Sequence, residues 1–189
     1  VDNRRAGRYN YCVTRERKRK SRMNNTENRV RRAEKRDIPR ILELLVQVNM
    51  VHHNGRPDLF KGPATKYTEE ELEKIISDDD TPVFVCTDED GTVLGYAFCI
   101  KRQIVGSQLM TDVMTLYIDD ICVDENARGK HVGSRIFEYV KEYGVRNGYY
   151  NITLNVWNFN ENAMKFYLSR GMEPQRTIME MKLGEEKGK

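Results

Sequence analysis

The residues between Ile118 and Gly133 read IDDICVDENARGKHVG, and they hold the densest chemistry in the chain. Two consecutive carboxylates, Asp119 and Asp120, sit in an otherwise apolar run of strand character. A carboxylate there could take a proton from an attacking nucleophile, directly or through water. Successive strand residues face opposite ways, so regular alternation would admit only one of the two to a given cleft. Downstream, Arg128-Gly129-Lys130-His131-Val132-Gly133-Ser134 leads into a helix whose apolar stripe is Val132, Ile136, Val140 and Tyr143. Glycines at such a turn let backbone N–H groups approach a ligand closely. The first helical turn adds unpaired donors and the positive end of the helix dipole. Together with Arg128 and Lys130 this suits a phosphate or pyrophosphate. The segment is neither a GxxxxGK[ST] loop nor a GxGxxG turn, and on spacing alone an ordinary glycine-containing turn is the alternative.

A second constellation runs from Asn160 through Ala163, Phe166 and Tyr167 to Gly171. On a helix Asn160, Ala163 and Tyr167 share a face. The phenol of Tyr167 is the group in this element suited to donating a proton. Metal chemistry finds no support. The three histidines, His52, His53 and His131, form no HExxH pattern. The cysteines Cys12, Cys86, Cys99 and Cys122 form no CxxC pair and read as buried thiols of a reducing compartment. His52, His53, Arg56, Asp58 and Tyr67 form a further polar cluster, readable as a binding loop or as a solvated one.

Those groups need elements to hold them in place. Residues 29–36, around Val30, read as a short first strand. Asp37 then caps a helix with Pro39 in its first turn and Ile38, Ile41, Leu42, Leu45 and Val48 on one stripe. Residues 51–66, with two Gly and two Pro, read as a loop, and Thr68 with Glu71 forms a capping box for a short helix through Ser77. Residues 82–87 and 92–104 are strands joined by the turn DEDG, because Asp-Gly supplies positive φ. Residues 112–123 and 149–156 are further strands, Asn160–Arg170 is a helix closed by Gly171, and Thr177–Leu183 is a last strand. The order is β-α-α-β-β-β-α-β-α-β. The fold class is therefore α/β (an α+β mixed sheet) in a single domain over residues 27–184, with residues 185–189 a flexible end.

The 189 residues carry a net charge of +3, unevenly spread. Residues 1–22 hold nine Lys/Arg against two Asp/Glu, which leaves the remainder mildly acidic. Residues 1–26 read as a disordered basic tail. That tail admits three readings: a nucleic-acid patch, a solvated tail, or translation from upstream of a start at Met23. A nucleic-acid partner would rest on residues 1–22 alone, so none is expected for the domain. No run reaches the roughly 18 apolar residues of a membrane span, and no secretory h-region follows the basic N-terminus, so a cytoplasmic location is expected.

On these motifs the chain resembles the GCN5-related N-acetyltransferases (GNAT family). ICVDENARGKHVG resembles that family's pyrophosphate loop, and NENAMKFYLSRGM its Asn-x-x-Ala-x-x-Phe-Tyr-x-x-x-Gly-Phe motif. The element order matches from Val30 to Leu183. His131 departs from the family's usual Gly, and Met172 from its Phe. The resemblance implies the acyl-CoA N-acyltransferase fold, acetyl-CoA as co-substrate without a metal, and a small-molecule or protein amine as acceptor. It also implies direct attack of the neutral amine on the thioester.

By the same resemblance, backbone N–H groups of Ile121, Cys122 and Val123 would meet the acetyl oxygen. Arg128 to Ser134, Asn160, Ala163 and Phe166 would bind CoA, and Tyr167 would protonate the leaving thiolate. In polyamine acetyltransferases of the family a glutamate contacts the acceptor nine residues before the loop's first Arg. This favours Asp119 as base, with Asp120 second, and His52, His53, Arg56 and Tyr67 as acceptor contacts. A route through acetyl-Cys122 finds no adjacent base. A homodimer is common in the family, and a CoA-binding regulator or scaffold without turnover is the alternative function.

Overall fold

A computed structural model describes residues 29–183; the tail 1–26 and the end 185–189 lie outside the described residues. Five strands form one sheet in the order β1-β2-β3-β4-β5: β1 (Arg29–Arg32), β2 (Val83–Thr87), β3 (Val93–Gln103), β4 (Met114–Val123) and β5 (Asn151–Leu154). Neighbours are antiparallel except β4 and β5, which are parallel and joined by a helix. Four α-helices complete the fold: α1 (Ile38–Gly55), α2 (Glu69–Ser77), α3 (Val132–Arg146) and α4 (Glu161–Ser169).

Strand alternation divides the core between two faces of the sheet. Ile38, Ile41, Leu44 and Leu45 of α1 and Leu72 of α2 bury against Val83, Val85, Tyr96 and Phe98. On the other face Val132, Ile136, Phe137 and Val140 of α3 bury against Phe84, Ala97, Cys99, Leu116 and Ile118. Of the stripes read from the sequence, Ile38, Ile41 and Leu45 of α1 and Val132, Ile136 and Val140 of α3 bury; Leu42, Val48 and Tyr143 are only partly buried, and Leu44 and Phe137 bury in addition. Thr68 and Glu71 form the expected reciprocal capping box at α2. Asp37 occupies the N-cap of α1, but its side chain makes no cap bond. Its buried carboxylate instead accepts 2.6 and 2.9 Å hydrogen bonds from Arg31 and one of 2.8 Å from the Glu34 N–H. Burial alone would raise its pKa, yet these donors hold it below the usual carboxylate range.

Three expectations need correction. The segment 51–66 is not all loop, since α1 continues to Gly55. Gly55 is tolerated there because the Phe159 ring lies against it, where a Cβ would come within 2.2 Å of that ring. The first strand ends at Arg32, and a 3₁₀ turn at Lys35–Asp37 links it to α1. Thr177–Leu183 forms no strand, so the order ends on α4. Ile178 and Met179 are 76% and 86% exposed, so neither face of the segment is covered. Its polar side chains are taken up elsewhere: Glu180 pairs with Arg56, and Lys182 with Asp58.

Two glycines give a test of this packing. At Gly95 a Cβ would meet the Cys122 carbonyl at 2.6 Å, so β3 and β4 would have to part. At Gly144, inside α3, the nearest atoms are side-chain carbons at 3.7–3.8 Å, an ordinary contact. Gly95→Ala should lower Tm, whereas Gly144→Ala should gain up to about 1 kcal/mol from helix propensity. Thermal denaturation of the two variants distinguishes them, and the same sign for both would contradict this packing.

Candidate active site

The site is built where β4 loses both its regular alternation and its parallel neighbour. Phe98 pairs with Asp120 but Cys99 with Ile118, so Asp119 is an extra residue in a β-bulge. Before the bulge Leu116 and Ile118 face α3; beyond it Ile121 and Val123 do, while Cys122 joins the α1 face. Pairing with β5 stops at Ile118↔Leu154. Residues 119–123 therefore line an opening with no parallel partner. Asp124 N–H donates to Leu94 at 2.9 Å, so the alternation of an antiparallel ladder turns the N–H groups of Ile121 and Val123 toward that opening.

The bulge changes what the two carboxylates can reach. Asp120 lies on the α1 side, where the buried Tyr96 hydroxyl donates to it at 2.7 Å. Burial pushes its pKa up to about 6, partly offset by the Tyr96 hydrogen bond and the Lys66 charge. Asp119 pairs with Lys66. Lys66 adjoins Tyr67, whose ring packs 5.7 Å from that of Phe98, the strand partner of Asp120. Both carboxylates thus feel Lys66, so regular alternation does not describe this stretch.

Tyr167 comes from α4 on the opposite face and packs against Phe137 and Phe166. Burial first, and then the Asp120 charge, raises its pKa, so the phenol is held protonated. Beside it lies a groove lined by Val123, Ala127, Arg128, Gly129, His131, Val132, Gly133, Ser134 and Phe166. Gly129 has φ 76° and His131 φ 60°, two left-handed residues that turn the chain into α3. A Cβ on Gly133 would lie 3.5 Å from Val123 and 3.8 Å from Phe166, narrowing the groove. Lys130 is exposed at its rim. Asn160 caps α4, accepting from Ala163 N–H at 3.2 Å.

The Cys122 side chain points away from the opening, into the α1 core. Its thiol is buried, accepts from Gln47 at 3.3 Å and donates to the Leu44 carbonyl at 3.5 Å. Burial pushes its pKa up to about 12. A group so firmly protonated is a poor nucleophile.

The loop after α1 meets the β5–α4 connection in an aromatic cluster. His52 stacks on Phe60 at 5.0 Å and meets the edge of Phe159 at 6.4 Å; Trp157 lies 5.5 Å from Phe60. Burial lowers the His52 pKa, and its Nδ1 has no hydrogen-bond partner. His53 Nδ1 is 2.8 Å from the Phe60 carbonyl. Arg56 is engaged by Asp58 and Glu180. Sequence reasoning missed Lys66, Tyr96, Phe60, Trp157 and Glu180. Nothing local marks them, because strand register and chain reversal over long separations bring them here. Among the described residues no cluster of His, Cys, Asp or Glu could hold a metal. No helix among them is long and apolar enough to cross a membrane.

These elements make a mixed α/β fold in which β4, bulged and parting from β5, stands beside the groove at the start of α3. The model of the acetyltransferase (GNAT) family matches residues 32–172, and the chain belongs to that family. It is similar to the BH1408 protein of Bacillus halodurans, whose tetramutant structure superposes with a TM-score of 0.78 at 32% identity, over 82% of this chain and 99% of that one. An uncharacterized N-acetyltransferase in the pepI 3′ region of Lactobacillus delbrueckii subsp. lactis is 33% identical over 110 residues. That match covers 53% of this chain and 62% of that relative's length. Glucosamine-6-phosphate N-acetyltransferase of Arabidopsis thaliana shares the fold, with a TM-score of 0.61 at 23% identity over 82% of this chain and 98% of that one.

His131 is the non-glycine residue with positive φ among those described. The left-handed conformation costs a residue with a Cβ about 1 kcal/mol or more. His131→Gly should therefore raise Tm by about 2–4 °C per kcal/mol recovered. Differential scanning calorimetry tests this; a lowered Tm would show that the imidazole contributes more than its backbone costs.

Proposed function

We propose that the protein transfers the acetyl group of acetyl-CoA to a primary amine by direct attack. The observation that carries this reading is the opening between β4 and β5, with Asp120 on one face, Tyr167 on the other and the α3 groove beside it. The residues present fit acetyl-CoA. Gly133 leaves the groove wide, the first-turn N–H groups of α3 have no helical acceptors, and the N–H groups of Ile121 and Val123 point into the opening. When bound, acetyl-CoA supplies the thioester. Arg128, Gly129, Lys130, His131, Val132, Gly133 and Ser134 would hold its pyrophosphate, with Asn160, Ala163 and Phe166 along the groove's α4 wall. The N–H of Val123 is available to the acetyl oxygen as charge builds there, whereas that of Ile121 also donates to the Asp120 carboxylate.

Asp120 is the better placed base. An alkylammonium has a pKa near 10.4 and must lose a proton before attack. Asp120 is ionised above pH 6 and sits at the opening, whereas Asp119 is committed to Lys66. Tyr167, held protonated, can return a proton to the thiolate. Neighbours named as aminoglycoside and glucosamine-6-phosphate acetyltransferases support an amine acceptor. His52, His53, Arg56 and Tyr67 would border it, the first as a neutral imidazole within an aromatic wall.

Screening primary amines with acetyl-CoA and a thiol-detecting readout tests the reaction, and release of no CoA from any of them would defeat it. The kcat/KM should rise with pH through about 6, as Asp120 ionises, and then flatten. Asp120→Asn should remove that limb and cost roughly 10²–10⁴-fold, while Asp119→Asn keeps the limb; the reverse result would return the role to Asp119. Tyr167→Phe should lower kcat and leave acetyl-CoA binding intact.

The same carboxylate has a stability signature. Its folded pKa lies above the ordinary value of 3.8, so the fold favours the protonated form. The penalty for ionising it grows as pH rises from that value to about 6 and is constant beyond. Asp120→Asn should therefore raise Tm above about pH 7 and have little effect near pH 4. An equal change at both pH values would mean that Asp120 ionises as readily in the fold as out of it.

A further inference from the structure

Lys66 is the one lysine in the described residues paired with a carboxylate at the β4–β5 opening. The lysines of Lys35–Glu73, Lys101–Asp80 and Lys165–Glu161 pair instead with carboxylates on α2, in the turn after α2 and on the first turn of α4. The Nζ of Lys66 contacts Asp119, lies 5.2 Å from the Tyr67 ring centroid, and lends its charge to Asp120. It is a primary alkylammonium held against Asp119 and beside Tyr67, on the α1 face of the sheet and opposite the groove at the start of α3. Its side chain is 50% exposed, so solvent reaches it despite the ion pair.

We propose that Lys66 is an acceptor in its own active site and becomes acetylated on Nζ by bound acetyl-CoA. This rests on the reading of the site as an acetyltransferase. Asp120 takes one proton from the ammonium and passes it to water. The freed lone pair forms an N–C bond to the acetyl carbonyl carbon as the C–S bond breaks. A second nitrogen proton is lost as Tyr167 returns one to the thiolate, so the products are the lysine amide, CoA thiol and one released proton. Tethering replaces a bimolecular encounter by an intramolecular one, a gain that reaches 10⁵–10⁸ M in effective concentration for well-aligned groups. The modified lysine loses its charge and its ion pair with Asp119. The site is thereby assigned a preference for unbranched alkylammonium groups of lysine type.

The experiment incubates the full chain with isotopically labelled acetyl-CoA and maps the label by peptide mass spectrometry. Label should appear on Lys66 ahead of every other lysine, at a fractional rate independent of protein concentration, and should vanish from that peptide in Lys66→Arg. Label spread over lysines according to exposure, a rate proportional to protein concentration, or no label on Lys66 overturns the proposal. An acetyl-CoA-dependent rise in Tm, with acetylation of an added primary amine, separates the failures. If both persist without label on Lys66, the self-acceptor role alone is wrong; if both are absent, the reading of the site fails with it.

Discussion

One extra residue in β4 is the constraint on which the rest of the site depends. With Asp119 inserted opposite the Phe98–Cys99 step, the strand changes which side chains it gives to each face. Leu116 and Ile118 secure β4 to the α3 core, and Cys122 secures its far end to the α1 core. Between these anchors the backbone is free of β5, since the ladder to that strand ends at Leu154. A continuous parallel ladder would have consumed the N–H groups that now face the opening. The two anchors keep the opening fixed, because closing it would pull one of the cores apart.

Charge inside the opening follows from that geometry. Asp120 is buried enough for its pKa to rise, yet Tyr96 and Lys66 temper the rise and leave it near 6. This is the range in which a base is ionised at neutral pH and still accepts a proton. The cost falls on folding, since a half-desolvated carboxylate opposes the compact state. Tyr167 receives the complementary treatment, with the same carboxylate helping to keep its phenol protonated. Environments that push two groups' pKa values apart assign one as base and the other as acid.

The acceptor side is assembled by contacts distant in sequence. Gly55 ends α1 where Phe159 must lie, which brings the β5–α4 connection over the loop after α1. Arg56 then ties that loop to Glu180 in the C-terminal segment, through the bonds that occupy the segment in place of a sixth strand. Met179, Met181 and Leu183 alternate with Glu180 and Lys182, but a strand needs a partner edge, and alternation carries no information about one.

Local pattern in the sequence was sufficient for the existence of helices α1 to α4, the capping box of α2, the turn before β3 and the left-handed Gly171, because each is set by residues within a few positions; the bonds of Asp37 and the extent of α1 were not, because Arg31 and Phe159 decide them. The loop at Arg128–Gly133 and the helix holding Tyr167 were legible for the same reason. What the sequence could not decide was the facing of Asp119 and Asp120. Strict alternation assigns one to the cleft, and only the register between β3 and β4 reveals the bulge that leaves Asp120 bonded to Tyr96 and Asp119 paired with Lys66. Tyr96, Lys66 and the aromatic wall around His52 were likewise invisible. Their roles arise from packing between elements up to a hundred residues apart, which sidedness and spacing along one strand do not encode.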